Sequence, residues 1–428
     1  MNYTALSLNQ APPLSVPLRF FLSAPLFLAA AAIVLMFAGN DILLGRWNPT
    51  MLALTHLITL GFLGMCMVGA VQQLLPVLIG TPLSSPRLVA SLLHLPMTSG
   101  IALLTAGMGL SQPLLMQVGS LLLLPALLLF ILVTGYCLWR TQSQHATVGA
   151  MRLALLGLLV LGLVALWLLQ FDQWKLPLAH AYTRLHIGWG ALGWISALLI
   201  GVAYQVVPMF QITPEYPLML RRWLIPLLGL LLLSWSLAHW WLPVMTPLLG
   251  YLLALSLILF AAYTLWLQEQ RRRRLADVTL DFWRLAMFCL ILAVLTWIAA
   301  QWFEWSQLEL LVGVLFFLGF AYSAVNGMLY KIVPFMIWLH LNNRLQSQGS
   351  WQGSVPNMKQ IIAVSVMRRQ FHLHLLALSV LLLTLVLPTT IPAWIAAGLW
   401  LANALTLWWN LLQATRLYRR ILNDAQQG

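Results

Sequence analysis

The side chains best suited to chemistry in this sequence are histidines that lie inside or beside apolar segments. His56 lies between apolar residues, His239 is followed by two tryptophans, and His186 opens a segment rich in Gly and Trp. An ionisable residue at membrane depth is costly, so it indicates a functional site. Neutral imidazole binds haem iron or copper well inside a helix bundle. We therefore interpret His56, His186 and His239 as candidate metal ligands, with hydrogen-bonded packing histidines as the alternative.

The composition indicates the class of protein that carries these histidines. Hydrophobic residues make up 61% of the 428 residues and charged residues only 7%, with a mean hydropathy of +0.89. Ordinary soluble proteins carry roughly a quarter charged residues. The three cysteines form no CxxC pair, which excludes a disulfide framework. These values exclude soluble enzymes and disordered chains and predict an all-α polytopic protein of the lipid bilayer.

Apolar runs of spanning length predict twelve transmembrane helices within a single membrane domain, residues 1–428. The predicted spans are 20–38, 52–75, 89–109, 114–138, 151–170, 186–207, 222–241, 244–267, 283–302, 311–333, 372–388 and 391–413.

The distribution of basic residues predicts the orientation of these spans. With the N-terminus inside, 18 of the 22 Lys and Arg residues fall on the inner side. Loops rich in Lys and Arg are typically cytoplasmic, so we expect a bacterial inner membrane protein with both termini in the cytoplasm. The net charge of +13 then reflects topology, and nucleic acid is not expected as a partner. His56, His186 and His239 all fall on the outer side.

One pattern, G-x7-G-x6-P, recurs in spans two, six and ten. The matched residues are Gly61, Gly69 and Pro76, then Gly193, Gly201 and Pro208, then Gly319, Gly327 and Pro334. The offsets of 132 and 126 residues each cover four spans, and three matches at such spacing indicate an internal repeat. Close packing of membrane helices explains single glycines but not their shared register. We therefore predict three pseudo-symmetric four-helix units, at about 19–140, 150–270 and 280–420.

The end of span two and the loop after it carry a family resemblance. From Leu74 to Arg87 the chain reads LLPVLIGTPLSSPR, which resembles the corresponding stretch of the haem–copper oxidase catalytic subunit (cytochrome oxidase subunit I). That family has twelve helices in three arcs of four, with both termini inside. The resemblance therefore agrees with the architecture predicted above.

The resemblance also implies roles for the outer histidines. His56 is the nearest counterpart of a family ligand of the low-spin haem. His186 resembles a ligand of the active-site copper, and Ala238–Trp240, with His239 at its centre, resembles a His-His copper site with one histidine replaced. His56 and His186 are thus the predicted cofactor ligands, and the implied cofactor is haem b or copper.

The sequence lacks several residues that the family uses to reduce oxygen. The family's span-ten ligands for both haems should fall near Val312 and Val314, and Gly190 stands where the family has a tyrosine. Oxygen reduction is therefore not expected. The chain resembles a non-oxidase branch of the family, the nitric-oxide-response membrane proteins, more than it resembles the oxidases.

The leading hypothesis is a protein that binds haem or copper near the outer face, in redox or nitric-oxide-related physiology. Other respiratory or denitrification membrane subunits are possible partners. The alternatives are a metal-free scaffold or assembly partner of a respiratory complex, and a small-molecule transporter. Two further residues carry expectations: Glu309 could face the outer histidines, and Lys331 should snorkel to the inner interface.

Overall fold

The structure is a computed structural model that describes residues 10–40, 45–170, 177–272, 276–348, 355–387 and 392–427. The chain in these ranges is helical and contains no β-strand. Twelve of the helices are long and apolar enough to cross a membrane, which confirms the predicted all-α, twelve-span fold. Lys175, Arg273 and Arg274, which entered the charge count, lie outside the described residues.

We label the spanning helices in chain order. The first six are α1 (Ser15–Ala38), α2 (Pro49–Val77), α3 (Pro86–Gly109), α4 (Pro113–Arg140), α5 (Ala146–Leu169) and α6 (Ala181–Gln211). The last six are α7 (Leu218–Trp241), α8 (Pro243–Glu269), α9 (Val278–Ala299), α10 (Gln307–Leu345), α11 (Val364–Val386) and α12 (Ala393–Ala425). A single turn of helix, Met358–Ile361, lies between α10 and α11.

Local sequence signals set several helix ends. Before α2, the Asn48 side chain accepts a hydrogen bond from the Thr50 N–H, and Pro49 occupies the first helical position. Asp277 caps α9 in the same way by accepting from the Thr279 N–H. Beyond α2 the helix continues to Ile79 and is capped by Gly80, whose φ of 70° is left-handed and suits glycine. The helix that contains α6 already begins at Pro177, so His180 lies in its first turn.

Helices α2, α6 and α10 form the centre of the molecule. Their most apolar 18-residue stretches are 61%, 72% and 72% buried, against at most 56% in the other spanning helices. They also contact one another pairwise through aromatic rings. The pairs are His56 with His186, Phe62 with Tyr322, and Phe210 with Phe335.

The same three helices share a local distortion. Each contains a π-helical turn, at Leu57–Gly64, Trp189–Ser196 and Val314–Tyr322. The first glycine of the sequence repeat lies inside each turn. Such turns are rare within α-helices and are frequent at functional sites. Their recurrence at matched positions agrees with an internal repeat, although the division into three four-helix units stays a prediction.

The second glycine of each repeat permits close packing against a neighbouring helix. A Cβ atom at Gly69 or Gly327 would lie 2.8 Å from the facing Cβ, too close for an ordinary side chain. The facing pairs are Gly69 with Phe20 of α1, Gly201 with Ala150 of α5, and Gly327 with Phe282 of α9. Each central helix therefore packs on the helix that precedes it, and this explains the shared register of the glycines.

Candidate functional site

One large cavity lies among the ends of the helices where α2, α6 and α10 begin. Its volume is about 1080 Å³, its walls are mostly apolar, and all twelve spanning helices contribute residues to it. We call this side of the molecule the cavity face. The opposite side, where α1 begins and where Arg19, Arg87 and Arg140 lie, is called the basic face and is the predicted cytoplasmic side. A cavity of this size and apolarity is typical of a binding site for a substantial organic ligand.

His56 is held on the cavity wall by its own helix. Its Nδ1 lies 2.8 Å from the Leu52 carbonyl oxygen, one turn earlier in α2. Because a carbonyl oxygen can only accept, Nδ1 must carry the proton, and Nε2 is left with its lone pair. A hydrogen bond from the other ring nitrogen to a carbonyl oxygen fixes the tautomer and orientation of a metal-binding imidazole. His56 is therefore prepared to ligate a metal through Nε2.

His186 faces His56 from α6 across the same cavity. The ring centroids lie 6.1 Å apart, and the ring planes are inclined by 36°. Two imidazoles that bind one metal ion from opposite sides, each with a nitrogen–metal distance of about 2.0 Å, place their ring centres roughly 6 Å apart. The His186 Nδ1 is buried and has no hydrogen-bond partner among the described residues. The pair thus has the separation of two ligands on one metal.

His239 also lines the cavity but is not grouped with this pair. Its Nδ1 donates to the Trp235 carbonyl at 2.9 Å, and its ring packs edge-on against the Trp235 indole at 4.3 Å between centroids. Within the described ranges no three His, Cys, Asp or Glu residues are grouped closely enough to hold a metal ion. The structure therefore brings His56 and His186 together, and a metal-binding role for His239 stays a prediction.

Charged and polar residues lie along the cavity wall near its opening. Arg46 Nε and Glu309 Oε2 form an ion pair at 2.9 Å, and the Arg46 guanidinium lies 4.8 Å from the centre of the Trp47 ring. Arg184 also lines the cavity. Glu309 thus shares a cavity with the outer histidines, as expected from the sequence, while its carboxylate pairs with Arg46.

The residues of this site fit a haem. His56 and His186 would hold it through their imidazoles, since the two rings face each other on the cavity wall. The apolar volume suits a macrocycle, and Arg46 and Arg184 can pair with its carboxylates. A single copper ion could use the same two nitrogens but would not fill the cavity. Val312 and Val314, where the resemblance expects histidines, line the wall with apolar side chains.

The structure also reveals polar residues that the sequence interpretation passed over. His374 of α11 is fully buried, and its Nε2 lies 2.7 Å from the hydroxyl oxygen of Ser323 on α10. The spacing of Tyr322, Asn326 and Tyr330, one helical turn apart on α10, was the available signal. Lys331, expected to snorkel, pairs with Asp277 at 2.9 Å.

Two comparisons with known proteins identify no relative of this chain. No protein-family model matches the sequence, and a search of curated proteins finds no significant match. The fold and its site therefore define the chain as a polytopic, all-helical membrane protein with a large apolar cavity, and the resemblance to haem–copper oxidases stays a prediction.

Proposed function

We propose that the cavity binds a haem b, ligated by His56 and His186, and that the protein acts in redox or nitric-oxide-related physiology. The observation that carries this proposal is the facing pair of imidazoles, 6.1 Å apart on the wall of a cavity of about 1080 Å³. The haem would supply one-electron chemistry and affinity for small gases. The resemblance of Leu74–Arg87 to the haem–copper oxidases supports the same cofactor class.

The ligand set favours electron transfer or gas sensing over oxygen reduction. His56 and His186 would hold the haem through two imidazoles, a ligand set that suits electron transfer better than oxygen binding. Both rings are also held by a backbone carbonyl, His56 by that of Leu52 and His186 by that of Leu161. Such a hydrogen bond strengthens the ligand that donates it.

The proposal includes a location. We place the cavity on the outer side of a bacterial inner membrane, with both termini in the cytoplasm, because basic residues dominate the opposite face. The site would then meet donors or ligands from the periplasm. A respiratory or denitrification membrane subunit is the class of partner that fits such a role.

An absorption spectrum tests the cofactor directly. Protein purified from cells supplied with haem and copper should show a Soret band and an α band that sharpens on reduction with dithionite. The His56→Ala and His186→Ala variants each remove one axial nitrogen, so both should lose most of the bound haem or convert it to a high-spin form. His372→Ala is the matched control, because His372 is exposed on α11 and lies outside the cavity wall.

The same purified protein also distinguishes the scaffold and transporter hypotheses from the haem proposal. Wild-type protein that carries neither haem nor stoichiometric copper would contradict the proposal. If such protein also co-purifies with another membrane subunit, the scaffold hypothesis is favoured. If it moves a solute across liposomes instead, the transporter hypothesis is favoured.

A further inference from the structure

A groove runs along the outside of the bundle between α4 and α5, in the halves of these helices nearer the basic face. Its volume is about 440 Å³. The residues that line it include Ile131, Gly135 and Trp139 of α4 and Arg152 and Leu159 of α5. Arg152 is the single charged residue among the described residues of its wall, and none of them lines the central cavity. The groove is therefore a separate feature, on the surface that faces lipid.

Gly135 keeps the floor of the groove open. A Cβ atom at this position would have one neighbour within 4 Å, the Leu155 Cδ1 atom at 3.9 Å, which is an ordinary contact. The glycine is therefore not required for close packing of α4 on α5, in contrast to the repeated glycines of the central helices. Its missing side chain instead leaves a depression between apolar side chains, of which those of Leu156 and Leu159 are exposed.

The groove has the depth of an acyl chain within one leaflet. Between Arg152 and Leu159, α5 rises roughly 10 Å at about 1.5 Å per residue. The hydrocarbon core of a bilayer is about 30 Å thick, so one leaflet occupies roughly 15 Å. At the basic end, the side chains of Tyr136 and Trp139 are 54% and 78% exposed, and such aromatic residues mark the level of the lipid headgroups. The groove thus begins at the headgroups and extends over about two thirds of a leaflet.

Two arginine side chains lie at the headgroup end. Arg152 Nη2 donates to the Leu138 carbonyl oxygen at 2.7 Å, which ties α5 to the last turn of α4. Arg140 Nη1 donates to the Tyr136 hydroxyl at 3.0 Å. Among the described residues, neither guanidinium group forms an ion pair with a carboxylate, and the chain from 113 to 170 contains no Asp or Glu. This end of the groove therefore carries positive charge that no carboxylate of α4 or α5 offsets.

We propose that the groove binds an anionic phospholipid from the leaflet on the basic face. One acyl chain lies over Gly135 between the leucine side chains, and the phosphate accepts hydrogen bonds from Arg152 and Arg140. The N–H groups of arginine form a fork that matches two phosphate oxygens. Basic pockets between transmembrane helices on the cytoplasmic side recognise anionic headgroups in this way. The proposal does not depend on haem, since no residue of the groove lines the cavity.

Charge complementarity selects an anionic lipid over a zwitterionic one. Both kinds of lipid carry acyl chains that can cover the apolar floor of the groove. A zwitterionic headgroup brings its own cation next to the two guanidinium groups, so it gains less from them. An anionic headgroup supplies the negative charge that α4 and α5 lack, and each basic residue near the membrane surface then adds to the attraction.

Native mass spectrometry of the purified full-length protein tests the site. The protein is titrated in detergent with phosphatidylglycerol, or with phosphatidylcholine of the same acyl chains, and the bound lipids are counted. We expect wild type to bind one phosphatidylglycerol about fivefold or more tightly than phosphatidylcholine, the factor that one basic residue near an anionic headgroup supplies. Arg152→Gln removes that charge and should abolish most of the preference. Gly135→Leu fills the depression and should remove the tightly bound lipid.

Arg222→Gln and Gly135→Ala are the matched controls. Arg222 is also exposed near the basic face and lies 5.5 Å from the ring of Trp223, but it is outside the groove, so its loss should leave the tight site unchanged. Gly135→Ala adds only a Cβ at an ordinary distance from Leu155 and should bind lipid like wild type. Melting temperatures of all variants show which of them are folded.

Three results would overturn the proposal. The first is equal affinity of wild type for the two lipids. The second is an unchanged preference for phosphatidylglycerol in folded Arg152→Gln, which is decisive even if Gly135→Leu does not fold. The third is a wild-type dimer that Gly135→Leu converts to a monomer without loss of bound lipid, because a second copy of the chain would then be the occupant of the groove.

Discussion

At the scale of single residues, the Lys331–Asp277 pair shows how a buried charge is accommodated at the edge of the membrane. The sequence interpretation had Lys331 snorkelling alone. Instead its ammonium group reaches the carboxylate that caps α9. Burial by itself would raise the pKa of Asp277, but the Lys331 charge and hydrogen bonds from Lys331 and Thr279 hold that pKa below its usual range. The Asp277 carboxylate therefore remains ionised at neutral pH.

Removing this carboxylate should destabilise the protein in a pH-dependent way. Asp277→Asn leaves Lys331 half-buried without its counter-ion, which we expect to cost about 1–3 kcal/mol at pH 7. The pKa of Asp277 is lower in the folded protein than in the unfolded chain, where it is near 4. The ionised carboxylate therefore stabilises the folded state at pH values above the unfolded pKa, and this contribution is lost as the pH falls through the folded pKa. The difference in melting temperature between variant and wild type, measured in detergent, should therefore shrink toward low pH.

Asp424→Asn provides the comparison for this experiment. Asp424 lies 4.0 Å from Arg420, and both side chains are well exposed, so its loss should change the melting temperature little. An Asp277→Asn protein as stable as wild type at pH 7 would show that the buried pair contributes nothing.

At the scale of the helices, the sequence predicted the elements well because their signals are local. Spanning length, proline at the first helical position and capping residues such as Asn48 are all visible in short segments. The repeated glycines were also visible, but their partners were not, because Phe20 and Phe282 lie on other helices. The π-helical turns had no sequence signal of their own.

Close packing at the repeated glycines gives a second stability prediction. In Gly327→Ala, the new Cβ would lie 2.8 Å from Phe282 Cβ, so α9 and α10 must separate, at an expected cost of about 1–3 kcal/mol. The control is Gly149→Ala, since a Cβ there has no neighbour within 4 Å. That change should leave the melting temperature equal or higher, because Ala favours a helix over Gly by up to about 1 kcal/mol. Equal melting temperatures for Gly327→Ala and wild type would contradict the packing account.

At the scale of the whole molecule, sequence alone could propose the histidine site but not assemble it. His56 and His186 were singled out by residue type and by membrane side. Their 6.1 Å separation depends on how α2 and α6 pack, which no local pattern encodes. The buried hydrogen bonds of Tyr322 were missed for the same reason, because its partners Gln370 and Asn403 lie on two other helices.

The orientation of the molecule can be tested independently of any cofactor. With basic loops in the cytoplasm, a fluorescent protein fused after Gly428 should fold and fluoresce. Alkaline phosphatase fused at Leu242, in the turn between α7 and α8, should be active because it is exported. The exchanged fusions serve as controls and should both be inactive; an active phosphatase at the C-terminus would reverse the assignment.

The π-helical turns have a consequence for how such a protein can change over evolution. In α2 the turn begins directly after His56, and in α6 it begins three residues after His186. Adding or deleting one residue in a helix rotates everything beyond it by about 100°. The π-helical turn joins two halves of the helix, so an insertion or deletion within it rotates one half relative to the other without disturbing either. The half that carries the histidine could then be reoriented, and the cavity remodelled, while the half that packs through the second glycine keeps its contacts.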